Sequence, residues 1–228
     1  IGWCDWSSDV CSSDLEVVAV RDVVHAHISN HQVALACFGR DGMETIRAYH
    51  EAGHALVWLH TAAEDAWMFL TILATGKSGG FMQFQHSSIL ESIPEKKQRL
   101  ACDMGGRVAE EVLLGRECVT HGASNDFEAA MDRAKQMVMN YGMGASGLIY
   151  NYDKSPQTSQ SILETINADI QVLLQEALET ARRILCDRRA DLDAVARALV
   201  EHKILTKEDI LEILAKNQGL CHIEINRH

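Results

Sequence analysis

The sequence predicts a mainly α-helical domain with a small β-hairpin or sheet beside its central helix. Three observations carry that expectation. Apolar residues recur at helical spacing, in Met43, Ile46, Tyr49 and Leu56 and again in Leu163, Ile166, Ile170, Leu173, Leu174 and Leu178. Helix punctuation stands where such patterns begin or end: Pro94 suits a first turn, Gly142 a stop and Thr206 a cap. One stretch reads as strand, turn and strand, around Gly76-Lys77-Ser78-Gly79-Gly80.

The elements follow in order. Asp5 to Leu15 reads as one frame of a sequencing-adapter oligonucleotide, so residues 1–15 are set aside as an artefactual segment. The natural chain is then expected to start near Glu16 and to be truncated upstream. Residues 16–42 are ambiguous, because the apolar run from Val17 to Val24 suits helix or strand. His25, His27 and His31 lie there as a loose cluster with no thiolate or carboxylate at ligand spacing. The central helix is expected over 43–62, with no proline nearby, and strands over 67–74 and 80–85. The G-K-S between them invites a phosphate-loop reading, but Thr71 stands where that motif needs glycine and Gly79-Gly80 follow where it needs a helix. A hairpin turn is the reading. Further helices are expected at 94–114, 125–140, 158–187, 190–202 and 207–216. Residues 143–157 offer a boundary between a core at 43–150 and a C-terminal helical part of the same unit at 151–217, with a tail at 218–228.

Composition narrows the function classes. A hydrophobic fraction of 47% over 228 residues is ample for a buried core in one or two domains. Outside the adapter-like segment the cysteines are Cys37, Cys102, Cys118, Cys186 and Cys221, widely spaced and without C-x-x-C. That pattern argues against a disulfide framework and for a reducing, cytoplasmic setting. A net charge of −11 with no basic run argues against a nucleic-acid partner. No apolar stretch approaches the ~20 residues needed to span a bilayer; Trp67 to Ala74 is apolar but short, and reads as a buried strand.

The chemistry concentrates in His50-Glu51-Ala52-Gly53-His54. An H-E-x-x-H pattern on a helix sets two imidazoles one turn apart, able to reach one Zn²⁺ ion, with the glutamate placed to take a proton from the attacking water. Catalytic zinc sites usually add a third protein ligand. His60 is the nearest candidate, but metzincins carry a helix-breaking glycine where this chain has Val57. With the helix continuing, His60 falls about 240° round the axis from His54. Helical glutamates, Glu91, Glu110 and Glu111, form a second class, although Glu110-Glu111 reads equally as a solvated face or a helix-packing ion pair. Asp126 is the third candidate.

Four blocks together resemble the FtsH family, the AAA-linked, membrane-anchored zinc proteases. His50-Glu51-Ala52-Gly53-His54-Ala55-Leu56 is similar to that family's catalytic helix, and Gly105-Gly106-Arg107-Val108-Ala109-Glu110-Glu111 to its G-G-R-x-A-E-E helix. Gly122-Ala123-Ser124-Asn125-Asp126 matches its G-A-S-N-D segment, and Met137-Val138 followed by Tyr141-Gly142-Met143 its M-V-x-x-[WY]-G-M. The blocks keep the family's order over about residues 44–150, and the helices beyond resemble its C-terminal helices more weakly. The resemblance implies a zinc peptidase domain with His50, His54 and Asp126 as metal ligands and Glu51 as catalytic base. His121 stands where the family has a small or hydroxyl residue, an outer partner at most. The residues themselves support Asp126: Ser124 or Asn125 can cap the next helix, with Glu128 completing a capping box, which puts Asp126 in a first turn that holds it ionised.

The expected function is a zinc-dependent endopeptidase acting on unfolded or misassembled proteins. The strand at 80–85, through Gly80, Phe81 and Met82, is expected to pair with extended substrate by β-augmentation. The resemblance further implies a homo-hexamer, an AAA ATPase module absent from this chain, and work at the cytoplasmic face of a membrane. Self-association is expected through the helices at 94–216, whose apolar faces include Leu192, Val195, Leu199, Ile204 and Leu205. The alternative is a catalytically idle scaffold subunit, against which the intact His50, Glu51, His54 and Asp126 argue.

Overall fold

The structure is a computed structural model. It describes the backbone of residues 31–61, 66–73, 80–85, 90–147 and 160–225, and the side chains of residues 42–61, 69–73, 80–82, 90–147 and 160–217. The adapter-like segment, His25, His27 and the turn at 76–79 lie outside the described residues, as do 148–157 of the boundary segment. The described elements are α1 (His31–Thr61), β1 (Ala66–Thr71), β2 (Phe81–Gln85), α2 (Ile93–Leu114), α3 (Ser124–Met139), α4 (Gln160–Asp187), α5 (Arg189–His202), β3 (Ile204–Thr206) and α6 (Lys207–Ile225). A three-residue 3₁₀ turn, Arg116–Cys118, links α2 to α3.

The mainly α architecture with a small sheet is the one the sequence predicts, with differences at element ends. The central helix begins at His31, inside the stretch left ambiguous, and α6 runs to Ile225 rather than 216. β3 was not anticipated. It is three residues long, too short for any period to show, and it forms because Lys203 takes a left-handed conformation (φ 66°) at the end of α5. The Lys203 carbonyl then accepts the Ile72 N–H at 3.1 Å and the Thr71 hydroxyl at 3.0 Å, which draws the chain alongside β1. The sheet order is β2-β1-β3, both pairings antiparallel. β2 is thus an outer strand.

Two helix starts show the rules at work. At α2, Glu95 accepts the Ser92 N–H while Pro94 occupies the first turn, where a missing N–H costs nothing. At α3 neither Ser124 nor Asn125 caps the helix. The chain already turns through His121–Ala123, so the helix starts at Ser124 with Ala123 at the cap position, and the Ser124 hydroxyl bonds back to the His121 carbonyl. Asp126 still falls in the first turn. Thr206 caps α6 as expected, accepting the Asp209 N–H at 3.2 Å.

α2 is the central packing element, lying against α1, α3 and α4, while α5 also packs on α1. The α1–α2 crossing is set by a glycine pair. A Cβ on Gly105 would stand 2.7 Å from the Gly53 carbonyl oxygen, and one on Gly53 would collide with the Gly105 carbonyl. The two backbones therefore touch with no side chain between them. Across α1 and α5, the Tyr49 hydroxyl donates to Asp193 at 2.7 Å, and Arg189 binds both Asp193 and the Val112 carbonyl. The apolar faces of α4 and α5 go into the same core: Ile166, Ile170, Leu173, Leu192, Val195 and Leu199 are all buried. Those residues are used within the chain, whereas Ile204, also expected in those faces, stays 45% exposed.

Gly105→Ala is expected to destabilise the fold by about 1–3 kcal/mol through overpacking. The sign is informative, because alanine in an unobstructed helix interior would instead stabilise by about 1 kcal/mol. Urea unfolding checks it: a midpoint equal to or above the parental one contradicts the close crossing.

Candidate metal centre

One face of α1 and one face of α2 build the site. On α1, His50 and His54 stand one turn apart. On α2, Cys102, Gly106 and Glu110 recur every fourth residue and form a stripe facing them. His54 Nδ1 lies 2.7 Å from the Cys102 carbonyl oxygen, and His50 Nδ1 lies 2.9 Å from Glu110 Oε1. A carbonyl and a carboxylate only accept, so both imidazoles donate from Nδ1 and keep Nε2 as a lone-pair ligand atom. Gly106 lies between these contacts: a Cβ there would sit 2.5 Å from His50 Nε2 and 2.5 Å from His54 Nε2. Only a glycine lets the two rings come this close to α2.

The two Nε2 atoms are 3.1 Å apart, and the Asp126 carboxylate faces both, 3.1 Å from that of His50 and 3.6 Å from that of His54. His50, His54 and Asp126 are the described residues that gather as a possible metal-binding group. Zinc held at ~2.0–2.1 Å by a tetrahedral set has donor–donor edges of about 3.3–3.4 Å. The separations lie on either side of that value, 3.1 Å from His50 to Asp126 Oδ2 and 3.6 Å from His54 to Asp126 Oδ1, and two nitrogens with a carboxylate are a suitable donor chemistry. The residues present fit a zinc ion.

Electrostatics follow from this crowding. Burial opposes the charge of both imidazoles, but the hydrogen bonds they donate to Asp126 outweigh it, joined at His50 by Glu110 and at His54 by the Cys102 side chain, so both histidines are raised, His54 strongly. Burial alone would raise Asp126; its bonds to His50 and His54 instead hold it far below the usual carboxylate range. A bound dication would take over the role of those protons. Glu51, 8% exposed, is pushed up by burial. Its carboxylate packs against Gly80, where a Cβ would lie 2.6 Å from Glu51 Oε1.

The rival ligands are placed elsewhere. His60 is exposed near the end of α1 and does not line the cleft. Glu91 pairs with Lys96 and Arg99, and Glu111 pairs with Arg182 of α4 at 2.9 Å. Glu110 is only 1% exposed and is an outer partner. One oxygen binds His50, and the other accepts the Thr120 N–H at 2.8 Å and hydroxyl at 2.9 Å. Sequence reading missed this role, together with those of Gly106 and the Cys102 carbonyl. The available signal was the i, i+4, i+8 stripe of small and acidic residues on α2, which only acquires meaning once α2 is known to face His50 and His54.

These groups open into a cleft of about 850 Å³. Its lining includes Gly80, Phe81 and Met82 together with His121, Asn125 and Asp126.

The family model described as Peptidase family M41 matches residues 40–213, which include the whole cluster. The chain belongs to peptidase family M41. Among its relatives, the "ATP-dependent zinc metalloprotease FtsH" of Chloroflexus aggregans is 34% identical over 196 residues, covering 79% of this chain and 30% of the relative. The protein of the same name from Caulobacter vibrioides is 35% identical over 184 residues, covering 74% and 29%. The "ATP-dependent zinc metalloprotease FTSH 11, chloroplastic/mitochondrial" of Arabidopsis thaliana is 37% identical over 185 residues, covering 79% and 22%. The chain thus spans less than a third of the length of these M41 relatives. Among the described residues no helix is long and apolar enough to cross a membrane.

Proposed function

We propose that this M41 chain is a zinc-dependent endopeptidase, with His50, His54 and Asp126 holding Zn²⁺ and Glu51 as the general base. The observation that carries the reading is the donor trio, spaced for tetrahedral zinc with both imidazoles locked as Nε2 ligands from behind. When bound, the ion supplies Lewis acidity for the scissile carbonyl and the attacking water. Glu51 takes the proton from that water and returns it to the leaving amine. Burial against Gly80 keeps its carboxylate aimed into the cleft and shields it from competing solvent.

The substrates we propose are unfolded polypeptides. Among the described strands β2 is an outer one whose first residues line the cleft, so an extended chain can add along it by main-chain hydrogen bonds across Gly80, Phe81 and Met82. Backbone pairing of that kind accepts many sequences and excludes folded ones. The relatives' names include "ATP-dependent"; we propose that an AAA ATPase module delivers such chains and that the working assembly is a homo-hexamer at the cytoplasmic face of a membrane. We treat 43–150 and 151–217 as the catalytic core and helical part of one peptidase unit.

Metal analysis and casein digestion test the core of this reading. Purified protein is expected to carry stoichiometric zinc and to digest unfolded casein, to stop when a chelator removes the ion and to recover on zinc addition. Digestion that ignores the chelator, or a purified chain that takes up no zinc, would overturn it.

A further inference from the structure

Three arginines line the cleft, Arg47, Arg99 and Arg133. Two are neutralised in place. Arg99 is held by Glu91 and lies over the Trp58 ring, and Arg133 pairs with Asp103 at 2.9 Å. Arg47 is exposed, and among the described residues it makes no ion pair and no side-chain hydrogen bond. In a chain where 32 acidic residues face 21 basic ones, a cation with no partner among the described residues beside the candidate centre runs against composition.

Its placement is specific. Arg47 precedes His50 and Glu51 by three and four positions on α1, which puts it on their face about 4.5–6 Å along the axis. Met43 and the buried Ile46 line the same stretch of cleft. An apolar floor with a guanidinium at its rim matches a side chain with a methylene stem and a carboxylate end. Extended substrate advances about 3.3 Å per residue, so this position lies about two residues from the bond facing Glu51.

We propose that Arg47 is a specificity residue, giving the cleft a preference for glutamate about two residues from the scissile bond, on the side facing the N-terminal end of α1. The assignment rests on the cleft being the substrate channel proposed above. An exposed arginine–carboxylate pair of this kind supports about a two- to five-fold preference, which added salt should diminish.

The test uses one unfolded peptide in which a single residue, glutamate, alanine or lysine, is moved stepwise along an otherwise constant sequence. Cleavage is read as kcat/KM on the zinc-loaded chain, and binding by fluorescence anisotropy on zinc-loaded Glu51→Gln. At one position the glutamate-to-alanine ratio is expected to be about two to five. It should fall to about one in Arg47→Ala, persist in Arg47→Lys and reverse in favour of lysine in Arg47→Glu. A ratio of one at every position in the parental chain overturns the proposal, and so does a ratio that survives in Arg47→Ala. Arg47-dependent binding without any cleavage would instead sink the peptidase reading and, with it, the placement of Arg47 relative to a scissile bond, leaving Arg47 only as a carboxylate-binding residue of the cleft.

Discussion

Glu51→Gln is expected to keep its zinc and its fold and to lose peptide hydrolysis by about 10²–10⁴-fold, the range general-base catalysis supplies. The substitution preserves shape, which matters because the Glu51 side chain is nearly buried and fits closely against Gly80. It removes only the capacity to take up a proton. Neither His50 nor His54 depends on Glu51 for orientation, since their Nδ1 atoms are held by Glu110 and the Cys102 carbonyl from α2. Zinc content, thermal unfolding and the initial rate of casein digestion together check it. A variant that digests casein at the parental rate with zinc bound would strip Glu51 of its role.

How much of this was legible in the sequence depends on the reach of each interaction. His50, Glu51 and His54 lie within one helical turn and a bit, and a local pattern fixes their relative placement once the segment is a helix. Asp126 lies 72 positions beyond His54 in the numbering, and no periodicity connects them; the matching segment Gly122-Ala123-Ser124-Asn125-Asp126 pointed to it, and the structure brings it beside the imidazoles. Val57 continuing α1 past the point where His60 could swing back was also readable, and His60 indeed stays exposed.

What was not legible is what depends on one helix facing another. Glu110 looked like a solvated acid or a ligand because its partners, His50 and Thr120, belong to other segments. Gly105 and Gly106 stood out only as part of the G-G-R-x-A-E-E block, and acquire their purpose at the crossing with α1 and under the two imidazoles. β3 is stabilised by Lys203 and the β1 edge, again non-local. The C-terminal helices taught the converse lesson. Their apolar faces were visible, but an apolar stripe does not say whether it meets its own chain or a second copy; the buried part of these faces meets α1 and α2, while Ile204 stays exposed.

The second large effect concerns the ligand set, and its content is a rank order. Asp126→Ala is expected to reduce zinc affinity most, because it deletes the carboxylate whose two oxygens face the two Nε2 atoms and leaves two imidazole nitrogens 3.1 Å apart. Glu110→Gln should follow with a loss of about 10–100-fold, the usual cost of an outer partner that orients a metal-binding histidine. The amide still reaches His50 but loses the charge that favours its Nδ1–H donor form, and its NH₂ cannot accept from Thr120 as the carboxylate does. His60→Ala should leave affinity unchanged, and Glu111→Ala should cost only its ion pairs with Arg182 and Arg116. Competition for zinc against a chromophoric chelator measures all four on one scale. The order separates the roles in a way that activity cannot, since every variant that loses metal also loses hydrolysis. Affinity falling further in Glu110→Gln than in Asp126→Ala would make Glu110 the ligand and Asp126 the support. A fall in His60→Ala would mean that α1 bends after Val57 when the ion binds.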